Sequence, residues 1–162
     1  RITVPISITL TSLIQFCVQF IIFLFFLLYF KFTGSPIFPN GYILLLPLIL
    51  IQLAVLSIGL GLLFSSITAR YRDLSLLMNF LTQLWMFLTP VVYPLSVVPE
   101  KFKYIIILNP MSAPVELFRE GFLGTSSISL LAVIISWIMA LIILFFGIIV
   151  FNRVEKTFMD TV

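Results

Sequence analysis

Four long apolar runs alternate with short polar or turn-forming stretches along this chain, at about residues 8–30, 42–67, 74–89 and 128–150. A helix rises about 1.5 Å per residue, so roughly 20 apolar residues cross the ~30 Å hydrocarbon core of a bilayer. The pattern predicts four membrane-spanning helices. In the first, Gln15 and Gln19 stand four apart on one face. That spacing suits hydrogen bonding between helices, with pore lining as the second use. Lys31 closes the run where its stem can reach the headgroups, and residues 34–41 (GSPIFPNG) form a turn-rich loop. In the second run Ser57, Gly61 and Ser65 make a small-residue stripe that lets another helix approach closely. Residues 68–73 (TARYRD) are a tight polar connection, and the third run carries Ser75, Asn79 and Gln83 on one face, with Trp85 near its far end.

Between the third and fourth runs the pattern changes. Residues 88–124 stay apolar in places, such as 104–108 (YIIIL), yet hold five of the nine prolines: Pro90, Pro94, Pro99, Pro110 and Pro114. Each proline removes an N–H and disfavours helical geometry in the residue before it, so no continuous span can form. The stretch predicts a re-entrant or interfacial helical hairpin before the last span. Irregular backbone at membrane depth survives only when buried in protein or lining a wet cavity. Glu100 to Leu108 is expected as one short helix, with Glu100 in its first turn, and Asn109-Pro110 as the turn that stops it. Ser112 is the expected N-cap of a second helix that tolerates Pro114 in its first turn and ends at Gly121 and Gly124. Val115, Phe118 and Phe122 would line one face of it, and Glu116, Arg119 and Glu120 the other. Glu116 and Arg119, three apart, can pair. Such a pair serves either a gate or a hairpin resting on the outer surface. Tyr93, Phe102, Tyr104, Phe118 and Phe122 offer aromatic faces, which suit sugar rings and equally suit the membrane interface.

Composition narrows the function. The chain is 62% hydrophobic and 9% charged, with a mean hydropathy of +1.27, which excludes an ordinary soluble domain and gives the fold class: all-α, polytopic membrane protein. A net charge of +3 gives nucleic-acid binding no support, and the absence of histidine excludes histidine metal sites, Ser-His-Asp catalysis and histidine proton relays. The lone cysteine, Cys17, is expected simply to pack. The runs themselves hold no Asp, Glu, Lys or Arg. An intramembrane lipid-modifying enzyme would need an acid or base there, so it would have to recruit Glu116 and Glu120, and a proton-coupled transporter meets the same objection. Sodium held by backbone carbonyls stays possible. No lysine follows a glycine, so the phosphate-binding loop of an ATPase is missing. Four spans put both ends on one side with Arg70 and Arg72 in a very short loop, and we assign that side to the cytoplasm.

The ordered set Thr89-Pro90-Val91-Val92-Tyr93-Pro94, Val98-Pro99, Leu108-Asn109-Pro110 and Glu116-Leu117-Phe118-Arg119 resembles the signature of type-2 ABC exporter permeases. It is most similar to the branch that exports O-antigen, capsule and teichoic acid polymers. Arg70-Tyr71-Arg72-Asp73 and the tail Glu155-Lys156-Thr157-Phe158-Met159-Asp160 resemble that branch too. Thr89 stands where the family more often has serine. The resemblance implies a permease homodimer in the inner membrane, an ABC ATPase subunit carrying ATP and Mg, no cofactor in this chain, and a lipid-linked polymer as cargo. It implies channel or gate roles for Pro90, Tyr93, Pro94, Pro99, Tyr104, Asn109, Pro110, Glu116, Phe118 and Arg119. Arg70, Tyr71, Arg72 and Asp73 would lie on the ATPase side. Such permeases have six spans and an amphipathic N-terminal helix, so this chain is expected to lack that helix and the first two spans. Permeases for drugs or small lipids share the architecture and are the alternative.

Overall fold

The computed structural model describes residues 3–34, 39–70, 73–124 and 128–159. Six helices follow in order: α1 (Thr3–Phe32), α2 (Leu46–Arg70), α3 (Leu74–Leu88), α4 (Glu100–Leu108), α5 (Ser112–Leu123) and α6 (Leu130–Met159). Short 3₁₀ turns at Gly41–Leu45 and Leu95–Val97 lead into α2 and α4. No strand occurs among the described residues. Three segments, Ile6–Phe32, Gly41–Ala69 and Leu130–Glu155, are long and apolar enough to cross a bilayer. The chain is a multi-pass membrane protein. The third run appears as α3, whose 15 residues reach about 22 Å, short of a ~30 Å core. The last helix continues past Val150 to Met159, so most of the tail is helical.

Proline sets the breaks. The residue before each of three prolines is extended: Thr89 at φ −96°, ψ 136°, Val98 at −75°, 128° and Asn109 at −70°, 118°. Helix α3 therefore stops at Leu88, and α4 is bounded at both ends. Gly124 closes α5 in the left-handed region, φ 64°, with its N–H on the Glu120 carbonyl at 3.0 Å. The start of α5 differs from the expectation. Met111, not Ser112, occupies the N-cap position; the Asn109 side-chain oxygen accepts from the Met111 N–H at 3.1 Å, and Ser112 becomes the first helical residue. The Asn109 side chain closes its own turn on Met111, and a cap at Ser112 would meet Pro114, which has no N–H to donate.

The core is the pair α2–α6. Gln52 meets Ser136, and Gly59 meets Leu144 and Gly147, so the two helices run parallel. A Cβ on Gly59 would lie 2.8 Å from the Leu144 backbone, and one on Gly147 2.6 Å from the Gly59 carbonyl oxygen. This is the small-residue approach by which membrane helices pack. It lies at Gly59, not on the Ser57–Gly61–Ser65 stripe, since Gly61 faces open space. Ser57 instead lies 3.3 Å from Thr9, joining α2 to α1. Gln15 and Gln19 are exposed, as is most of α1, and so bond no neighbouring helix. Cys17 is exposed as well.

Candidate functional site

Helix α3 ends without the donors that would satisfy its last carbonyls, and the site is built from what replaces them. Pro90 has no N–H to offer. The Thr89 N–H and hydroxyl both turn to the Trp85 carbonyl, at 3.1 and 3.0 Å. The Tyr93 hydroxyl reaches back to the Phe87 carbonyl at 3.0 Å. Asn109, from the turn of the hairpin, donates to the Leu88 carbonyl at 3.3 Å and to the Thr89 hydroxyl at 3.0 Å. Its side-chain oxygen accepts from the Trp85 indole N–H at 3.1 Å as well as from Met111. One asparagine thus fastens the end of α3 to the start of α5.

A second fastening is charged. Glu116 and Arg119 sit one turn apart on α5 and pair at 2.7 Å, with side chains 2% and 16% exposed. The guanidinium also donates to the carbonyls of Pro90, Val91 and Tyr93, at 3.0, 3.2 and 3.4 Å. Glu116 in turn accepts from the Leu95 N–H at 3.3 Å. A loop that prolines have stripped of regular hydrogen bonding is held by a planar five-donor cation and its carboxylate. Removing Arg119 would leave the buried Glu116 carboxylate without its counter-charge.

The turn between α4 and α5 penetrates the bundle. The Ser136 hydroxyl donates to the Pro110 carbonyl at 2.6 Å and accepts from the Gln52 amide at 2.5 Å. Gln52 and Ser136 each lie six residues inside their helices, which places the turn about 9 Å below the helix starts. Gln52 is 1% exposed and Ser136 fully buried. At the other end of α5 the Asn40 N–H donates to the Gly121 carbonyl at 2.9 Å, and a Cβ on Gly121 would crowd the Ile43 backbone at 3.2 Å. Beside the turn lie two adjoining apolar hollows of about 520 and 420 Å³, one between α1 and α2, the other between α2 and α3, with Met111 in the wall of both. No acid or base lines either.

The family described as the ABC-2 type transporter matches residues 1–123, three quarters of the chain and all of the hairpin but its last residue. This chain belongs to the ABC-2 transporter family. Among curated relatives, an O-antigen export system permease protein RfbA of Klebsiella pneumoniae is 29% identical over 119 residues, covering 71% of this chain and 44% of the relative. Another of that name from the same species is 26% identical over 164 aligned positions, covering 99% of this chain and 60% of the relative. One from Myxococcus xanthus is 31% identical over 75 residues, 45% of this chain and 29% of its own. The chain spans about half the length of the first two.

Of the residues that the sequence of this ABC-2 family chain singles out, the structure gathers Pro90, Tyr93, Asn109, Pro110, Glu116 and Arg119 at one end of the bundle, through the contacts above. Pro94 and Pro99 are exposed and precede the 3₁₀ turn and α4. Tyr104 is 76% exposed on α4. Phe118 is part of a ring cluster with Phe122, Phe20 and Phe23, at centroid distances of 4.6, 6.3 and 5.2 Å, and so ties α5 to α1. Asp73 is exposed and makes no side-chain cap at the start of α3. Tyr71, Arg72 and the side chain of Arg70 lie outside the described residues. Gln52, Ser136 and Trp85 were not singled out by sequence. The available signal was isolation: Gln52 is the only polar side chain in 46–56, and Ser136 the only hydroxyl in 130–150.

Proposed function

We propose that this chain is the channel-forming part of an export permease for a polysaccharide, a lipid-linked O-antigen-like polymer being the best fit, with the hairpin α4–α5 as the gate at its outer end. The observation that carries the reading is the Arg119–Glu116 clasp on the loop after α3, in a chain whose near-whole length aligns with permeases named for O-antigen export. A charged clasp on a loop with little regular backbone bonding can part and reform, which is what a gate requires. The chain would act as a homodimer in the inner membrane, with both ends cytoplasmic. A separate ATPase subunit would bind ATP and Mg beside the 70–73 loop, where Arg70, Tyr71, Arg72 and Asp73 would contact it or anchor the bilayer surface. Tyr93 and Tyr104 supply ring faces at the mouth of the path, suited to sugars.

The test joins α4 to α5 by paired cysteines and a thiol-cleavable cross-linker in the complete permease, with surface polysaccharide measured in cells. Loss of surface polymer that reductant restores supports the gate. Undiminished polymer under full cross-linking makes the hairpin a surface cap.

A further inference from the structure

We propose that Gln52 and Ser136 are positioning residues of the export path. Through the Pro110 carbonyl they peg the turn of the hairpin, so that opening swings α4 and the loop before it about Asn109–Pro110 while α5 stays seated. The inference rests on the gate reading above and adds which arm moves and what holds the other.

The two arms of the hairpin are built differently. Helix α5 buries Ser112, Ala113, Pro114, Glu116, Leu117, Gly121 and Phe122, whereas α4 buries Ile106 alone. Both ends of α5 are bonded to the bundle, at Pro110 by Ser136 and at Gly121 by Asn40. The other arm touches α6 too, but its polar attachments are of a different kind: Asn109 at the pivot and the Arg119–Glu116 clasp on the loop. The peg stands on the most extensively packed helix pair, α2 and α6, which touch backbone to backbone at Gly59 and Gly147. Stability alone does not account for Gln52. Its side-chain oxygen is buried without a hydrogen-bond partner, as is the Ser112 hydroxyl, and an unmet buried acceptor is destabilising. A leucine would pack there without that liability. What the amide supplies is a donor that fixes the Ser136 oxygen, leaving the Ser136 proton for Pro110.

The experiment uses the complete permease assembled with its ATPase in lipid nanodiscs, with Cys17 replaced by serine. Spin labels at Tyr104→Cys on α4 or Leu123→Cys on α5 are each paired with one at Phe145→Cys on α6, and distances are read without nucleotide and with a non-hydrolysable ATP analogue. In the otherwise unaltered permease the α4 distance is expected to shift and the α5 distance to stay; both shifting together overturns the peg. With Ser136→Ala or Gln52→Leu the α5 distance should broaden, and surface polymer per ATP hydrolysed should fall about tenfold, the size of one lost buried hydrogen bond. Ser136→Thr, which keeps the hydroxyl, should restore both. A sharp α5 distance and undiminished export in Ser136→Ala overturn the inference while the cross-linking result still supports a gate. If neither distance shifts with nucleotide and cross-linking leaves export intact, the gate reading itself fails.

Discussion

Helices α4 and α5 are neighbours of similar length joined by one turn, and both touch α6, but α5 packs on α2 and on the turn at Gly41–Leu45 as well and buries far more of its side chains. Helix α5 has a glycine, Gly121, where it meets the backbone of Ile43, and its ring pair Phe118–Phe122 packs on α1. Helix α4 presents Phe102, Tyr104, Ile105 and Leu108 outward. An apolar face without protein cover in a membrane protein meets lipid or another chain, and neither holds a helix in one position as packed backbone does. The difference is one of packing, and on the proposed reading it leaves α5 seated and α4 the arm that moves, with the charged clasp as the link.

The largest effect should come from removing the base on which α5 sits. A leucine at Gly147 would drive its Cβ to 2.6 Å from the Gly59 oxygen, and backbone cannot give way as a side chain can. The expected loss exceeds the roughly 1–3 kcal/mol of ordinary overpacking, so Gly147→Leu should yield no monodisperse permease on size-exclusion chromatography. Ile142→Leu, on the exposed face of the same helix, should behave as wild type.

Next comes the clasp. Arg119→Leu should destabilise by about 3 kcal/mol, because the buried Glu116 carboxylate loses its cation, and Glu116→Leu by less, because Arg119 is part-exposed and keeps its carbonyl acceptors. The double variant should recover much of that in a thermal unfolding cycle yet still fail to export normally, because the carbonyls of Pro90, Val91 and Tyr93 have lost their donor. Additive losses would show that the two residues act apart.

A smaller effect is expected at the pivot. Asn109→Ala removes the bonds to Trp85, Leu88, Thr89 and Met111, and should cost about 1–3 kcal/mol. In a Trp137→Phe background the emission of Trp85 should change with it. An unchanged spectrum would mean that the indole bond is not formed in the membrane.

Much of this was legible in sequence because proline acts locally. The extended geometry of Thr89, Val98 and Asn109 follows from the residue after each, so the hairpin and its turn could be drawn before any packing was known. The Glu116–Arg119 pair was legible for the same reason, lying one helical turn apart. What escaped was long-range. The sequence marks Gln52 as a lone amide in an apolar run but carries nothing that points 84 positions on to Ser136. The small-residue stripe meets α1 at Ser57, but the closest approach, Gly59 to α6, lies off it, because periodicity within α2 shows which residues share a face and not which partner each face meets. Ser112 is not the cap: two residues on stands Pro114, which has no N–H for its hydroxyl to accept from.

Hydrogen–deuterium exchange on the assembled permease, with and without a non-hydrolysable ATP analogue, tests the contrast between the arms most directly, since exchange reports local opening helix by helix. The account predicts that amides of 112–123 stay protected in both states, while those of 100–108 exchange faster and change with nucleotide. Equal protection of the two helices, unaltered by nucleotide, would contradict it.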